Sequence, residues 1–389
     1  MEKVYLYSQK NGWFNREGLY IFDNPVFVVE YKNRRTYLNG RDLGSINLFN
    51  LIEKIIKKYK LYGLGYISYN YGKSIVLDKV FTKRRDINLP DIYILFFKNY
   101  TFHKNFDYPE LKQIVKNVKI NVSKEEFINK VLRIKKYIES GDIYQVNLAH
   151  RIDLEGFFYP EVAFFNLLDI QKTPYLMLLK GINFSVLSGS MELFLRKEGN
   201  TLITEPIKGT RPRGKTKEED KRLFAELKNS EKEIAENLMI TDLMRNDLGR
   251  ICKKVYVKDL FKVERYSTLY QMSSTVIGEL TGNIRIKDII NNTFPPGSIT
   301  GAPKKRAMEI IEELEDVERS VYCGATVLFK PNLDIVMSVA IRQIIFKERK
   351  GYIYVGSGIV YNSNPEEEYK ETLIKAKANL KALDLDLAL

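Results

Sequence analysis

The chain has 389 residues, 44% of them hydrophobic, with 25 Tyr and 21 Phe, enough apolar mass for two domains or one large layered unit and too aromatic for disorder. Its net charge of +13 raises nucleic acid as a partner, but the lysines are spread along the chain without a zinc-finger or RNA-binding motif, so no nucleic-acid partner is expected. No apolar run approaches the ~20 residues of a membrane span, the start Met1-Glu2-Lys3-Val4 has no apolar leader, and two cysteines make no disulfide framework, which together predict a reducing cytoplasm and no membrane.

Residues 1–121 read as a β-rich region. Short apolar-aromatic runs at 4–7, 19–22, 26–31 and 92–97 alternate with Gly/Asn turns, the pattern of an antiparallel sheet. Ile52, Ile55 and Ile56 predict one helix over Leu48–Tyr59. Lys83-Arg84-Arg85 reads as a solvated turn, and the polar stretch 101–121 as a linker.

From Ser123 the texture changes, and 122–389 reads as a second region interwoven with the first into one compact unit. Ser123-Lys124-Glu125-Glu126 is a capping box, Phe127, Val131, Ile134 and Ile138 form a stripe, and Gly141 closes the helix. The strand that follows, 142–151, carries Gln145 and Asn147 on one side. Four closely spaced strands at 175–180, 184–188, 193–196 and 201–204 come next, with Glu192 at a strand start. They lead into Pro206-Ile207-Lys208-Gly209-Thr210-Arg211-Pro212-Arg213-Gly214, which two prolines and two glycines mark as a loop. Glycine lets backbone approach a ligand closely, and an amine in low-dielectric surroundings can shed its proton and act as a nucleophile.

Two capped helices follow, starting at Thr216 and Ser230. The second interleaves Asn237, Asp242, Arg245, Asn246 and Asp247 with Leu238, Met239, Ile240, Leu243 and Met244, leaving no clean stripe and implying buried polar groups with partners. The loop 294–303 empties into a helix at Pro303 and suits an anion. Arg342 lies deep in an apolar run and wants an anionic partner. Gly356-Ser357-Gly358 breaks a strand where backbone can meet a ligand. On the last helix Glu368, Glu371 and Lys375 share a face, which equally describes a surface ion pair.

Five stretches together resemble the chorismate-utilising enzymes, and within them component I of aminodeoxychorismate synthase: 141–148, 206–214, 236–247, 297–304 and 356–372. The resemblance spans roughly two-thirds of the chain, and residues 1–121 look shortened against it. It implies an α+β fold (α/β layered) with antiparallel sheets packed face to face, helices outside and a cleft between. It implies Mg²⁺ on Glu236 and Glu371, completed by Glu233 and Glu368, each pair a Glu-x-x-Glu on one helical face. Tyr322, Arg342, Lys375 and the backbone of Gly356, Ser357 and Gly358 would hold substrate carboxylates, and Gly209 and Thr210 would line the ring.

The family's anthranilate synthases have alanine where Lys208 stands; lysine is the aminodeoxychorismate pattern. There it attacks ring C2 as the C4 hydroxyl leaves, protonated by Glu192, and ammonia then displaces it. Gln145 replaces the lysine that activates water in isochorismate and salicylate synthases, favouring ammonia. Gln271 replaces a histidine that assists pyruvate elimination, so the enol-pyruvyl group should stay on the product and a separate lyase would complete 4-aminobenzoate. Neither Cys252 nor Cys323 sits in a glutaminase elbow, so a separate glutaminase subunit should supply ammonia. An anthranilate synthase, a basic nucleic-acid binder and an inactive scaffold are the rival readings.

Overall fold

A computed structural model describes residues 2–78, 86–109, 111–266 and 269–386. The turn expected at Lys83-Arg84-Arg85 lies outside the described residues. Among the described residues the strands form a ten-stranded and a twelve-stranded sheet. The first runs from Gly301–Ala302 through Gln145–Phe157, Lys350–Ile359, Gln343–Lys347, Phe184–Ser190, Tyr175–Lys180 and Lys3–Ser8 to Gly18–Asp23 and Thr101–His103. The second starts at the edge strand Ile207–Pro212 and passes through Leu269–Leu280, Thr201–Glu205, Leu193–Glu198, Ile335–Val339 and Ala325–Phe329 to Tyr62–Ile67, Ile92–Phe97 and Phe27–Lys32.

Side-chain alternation along a strand explains the layering. Met177 and Leu179 face a large core that also takes in Leu64, Tyr66, Leu195 and Val327 of the other sheet. Their neighbours Leu176 and Leu178 face a second core with Phe164 and Leu168 of the helix Pro160–Ile170, and Ala376 and Leu380 of the helix Pro365–Ala382. The fold is therefore α+β, with antiparallel sheets packed across a common core and helices outside. Strands from residues 1–121 are hydrogen-bonded into both sheets: Lys3–Ser8 pairs with Tyr175–Lys180, and Tyr62–Ile67 with Ala325–Phe329.

Two expectations need correction. The stretch read as a linker carries the strands Thr101–His103 and Ile114–Ile120, the second paired with Gln145–Phe157. The stretch read as a loop is an edge strand, Ile207–Pro212, paired with Leu269–Leu280. Pro206 and Pro212 do not prevent this, because proline is tolerated at strand ends and edges. Both strands owe their existence to partners distant in sequence, which local composition does not report.

The chain crosses between the sheets twice in adjacent places. It leaves the first sheet after Ser190 and enters the second at Leu193; it returns after Val339 and re-enters at Gln343. The crossings are tied together by Val339 N–H to the Glu192 carbonyl at 3.1 Å and Gly189 N–H to the Arg342 carbonyl at 3.1 Å. Glu192 and Arg342 are thus not ordinary strand residues. They occupy two neighbouring links between the layers.

Candidate active site

Beside these crossings opens a cleft of about 520 Å³, lined among others by Glu192, Lys208, Tyr322, Arg342, Gly356 and Lys375. Lys208 comes to it from the edge strand through a bulge: the register with Leu269–Leu280 shifts between Ile207 and Thr210. Gly209 in the bulge has φ +84, left-handed backbone that favours glycine, and a Cβ there would press on the side-chain ends of Leu227 at 2.8 Å and Glu233 at 3.0 Å. The Lys208 amine donates to the Ser298 carbonyl at 3.3 Å. Across the cleft, a Cβ on Gly358 would meet the Gln145 amide at 2.7 Å and stand 3.8 Å from the Lys208 amine. Glycine at 358 therefore keeps the space in front of the lysine open.

Glu192 is buried at 6% exposure. Desolvation pushes its carboxyl up to about 7, against the opposing pull of the Ser298 hydroxyl, the Lys208 charge and the Ile207 N–H. A carboxyl poised there can hold or give a proton at neutral pH.

The loop expected to seat an anion contributes differently. Its Ser298 and Ile299 line the cleft, while the helix beginning at Lys304 is anchored by Lys304 to Asp247 at 2.5 Å. The helix Glu231–Gly249 supplies Glu233 and Glu236. Of the polar residues noted on it, Asn237 and Asp247 are buried, with partners in Ser274 and Lys304, whereas Asp242, Arg245 and Asn246 are exposed. With Thr241, whose hydroxyl donates to the Asn237 carbonyl, the helix thus buries three polar side chains, which accounts for its missing stripe.

Glu368 and Glu371 enter from the helix Pro365–Ala382. Burial raises both Glu236 and Glu368; Glu233 and Glu368 add to the rise at Glu236, and Glu371 to that at Glu368. Burial also acts on Glu371, but Lys375 at 2.6 Å outweighs it and holds that carboxyl low. Glu233 is paired with Arg211 at 3.3 Å. Among the described residues no three carboxylates converge tightly enough to grip an ion as they stand. The donor set nevertheless suits a hard divalent cation: four carboxylates from two helices line one cleft, and burial with neighbouring carboxylates raises two of them, Glu236 and Glu368.

Opposite them, Arg342 sits in left-handed backbone at φ +50, donates to the Lys375 carbonyl, and makes no ion pair among the described residues. Burial lowers its pKa, which Tyr322 and Glu371 resist. Lys375 also donates to the Gly356 carbonyl at 2.9 Å, and Tyr322 stacks on Tyr354 with centroids 5.4 Å apart. Such a cluster of cations, glycine backbone and aromatic faces can receive a small carboxylate-bearing ring. Gly209, Thr210, Gly356 and Gly358 line the cleft, while Gln145 and Ser357 lie buried just behind its wall, at 1% and 0% exposure. Sequence reasoning did not single out Ser298, Lys232 or Arg211. Asn147 was noted only for sharing a side with Gln145, and its buried amide nitrogen has no partner among the described residues. Gln271 lies opposite Thr210 and its amide donates to the Met191 sulfur.

A family profile described as chorismate binding enzyme matches residues 2–381. The chain belongs to that family. Within the chorismate-binding enzymes it is 36% identical over 361 residues to aminodeoxychorismate synthase component 1 of Bacillus subtilis, covering 83% of this chain and 77% of that one. It is 42% identical over 274 residues to anthranilate synthase component 1 of Aquifex aeolicus, covering 69% of this chain and 55% of the relative, so the match spans about half the relative's length. Among solved structures it resembles anthranilate synthase component I from Streptococcus pneumoniae, with a TM-score of 0.83 at 26% identity over 92% of this chain and 91% of that one. The menaquinone-specific isochorismate synthase MenF from Escherichia coli shares the fold, with a TM-score of 0.77 at 14% identity over 98% and 89% of the two chains. Among the described residues no helix is long and apolar enough to cross a membrane.

Proposed function

We propose that this chorismate-binding enzyme aminates chorismate at C4 with ammonia, giving 4-amino-4-deoxychorismate. The observation that carries the reading is one amine, Lys208, sharing a cleft with one carboxyl, Glu192, that is poised at about 7. In its neutral form Lys208 Nζ bonds to C2, both conjugated ring double bonds shift toward C4, and the C4–O bond breaks as Glu192 gives its proton to the departing oxygen, releasing water. Ammonia then attacks C4, both double bonds shift back, the C2–N bond breaks, and the surplus proton of the new amine returns to Glu192. Lys208 leaves as it entered. Arg342, Lys375 and the 356–358 backbone hold the substrate carboxylates, and Gly209 and Thr210 flank the ring. The ammonia comes from glutamine through a separate glutaminase subunit.

Mg²⁺ is the proposed cofactor, with Glu236 and Glu371 as ligands and Glu233 and Glu368 completing the set; when bound it offsets their charge and helps orient the substrate. Titration calorimetry should find Mg²⁺ binding weakened about tenfold or more by Glu236→Gln, as for loss of one charged ligand. Unchanged affinity would remove this cluster from the metal site. For the covalent step, Lys208→Ala should lose roughly 10²–10⁴ in turnover with ammonium while chorismate still binds. Wild-type turnover in that variant would rule the lysine out.

The second reading is anthranilate synthesis, favoured by relatives of that name at 42–44% identity over 67–69% of this chain. Lys208 is what favours amination at C4 instead. The two readings part on whether the product keeps its enol-pyruvyl group.

A further inference from the structure

We propose that Ser298 is a positioning residue that fixes the acid Glu192 and the nucleophile Lys208 relative to each other. Its carbonyl accepts from the Lys208 amine at 3.3 Å, and its hydroxyl is turned to the Glu192 carboxyl. No other residue described here serves both groups through hydrogen bonds. Ser298 is itself held rigidly. It lies at 6% exposure in the turn Gly297–Ile299. Thr300 closes that turn with its hydroxyl on the Pro296 carbonyl at 3.2 Å and its N–H on the Gly297 carbonyl at 3.3 Å. Arg319 grips the Ile299 carbonyl at 3.1 Å, and Asn147 N–H donates to the Thr300 carbonyl at 3.0 Å. Gly297 packs so closely on the helix Glu231–Gly249 that a Cβ would stand 2.5 Å from Leu243. A clamped turn of this kind has no room to let its serine drift.

The hydroxyl donates to the carboxylate and so favours the charged form of Glu192, as do the Lys208 amine and the Ile207 N–H; the thiol of Cys323 is the further titratable group coupled to it. Removing the hydroxyl leaves the desolvation that raises Glu192 less opposed. The acid form then persists to higher pH. The role rests on the reading of Lys208 and Glu192 as nucleophile and acid, but not on which product forms.

The test follows chorismate disappearance in ammonium buffer from pH 5.5 to 9.5, for wild type, Ser298→Ala and Ser298→Thr, each checked for an unchanged thermal midpoint. The basic limb of kcat for Ser298→Ala should move up by at least half a pH unit, with kcat at its optimum down about tenfold and KM within about threefold, and threonine should restore both. Superimposable profiles for wild type and Ser298→Ala would overturn the proposal, as would a Thr variant no better than Ala. If wild type consumes chorismate without aminating it, the amination reading fails while the Ser298 result still stands or falls on these profiles.

Discussion

Burial holds Glu192 near 7, so at neutral pH it is divided between acid and carboxylate. The first step needs the acid form, and a carboxyl raised above the ordinary ~4.3 of glutamate loses that form as pH rises through the raised value. Turnover should accordingly have a basic limb with a midpoint near 7, read from the pH dependence of kcat, and Glu192→Gln should lose most activity at every pH. A profile flat from pH 6 to 8 would show that Glu192 does not supply the proton. Lys208 could be singled out in the sequence only with the help of the other family motifs, since its own loop reads locally as an ordinary cationic turn. Ser298 could not, since its role depends on a backbone carbonyl and on two groups distant in sequence. Nor could the place of the Lys375–Glu371 pair at the cleft wall be told from an ordinary surface i,i+4 pair by periodicity.

Among the elements, the helix Glu231–Gly249 and the strand Ile207–Pro212 do most to shape the cleft. The helix is anchored at its far end by the Asp247–Lys304 pair, whose side chains are 2% and 12% exposed. Burial pushes Asp247 up and Lys304 down, toward their neutral forms, and their mutual contact is what opposes it. Removing one partner of such a pair leaves the other charge stranded, typically at about 3–5 kcal/mol. Asp247→Asn should therefore lower the thermal midpoint clearly, and it should weaken the loop carrying Ser298 along with it. An unaltered midpoint would contradict the anchoring role. The strands at 175–180, 184–190, 193–198 and 201–205 were legible because each carries its own apolar pattern between turns. The edge strand carrying Lys208 was not, because its order comes from Leu269–Leu280 and its prolines and glycines argue locally for a loop.

For the whole molecule, the two packed antiparallel sheets and the helices outside them were expected from the resemblance to the chorismate-utilising enzymes, with which the many short strands followed by capped helices agree. The adjacency of the two crossings was not, because it follows from strand order, which no single segment encodes. That adjacency brings the Glu192 carboxyl and Arg342 to one cleft, where the edge strand adds an amine and two helices an acidic cluster. The central claim is that these groups exchange the C4 hydroxyl of chorismate for an amine and leave the side chain in place. It is tested most directly by incubating the purified chain with chorismate, Mg²⁺ and ammonium and analysing the product by mass spectrometry and fluorescence. Amination at C4 should yield a product that retains the enol-pyruvyl group and becomes 4-aminobenzoate only when a lyase is added. Fluorescent anthranilate with free pyruvate, formed by the chain alone, would contradict it.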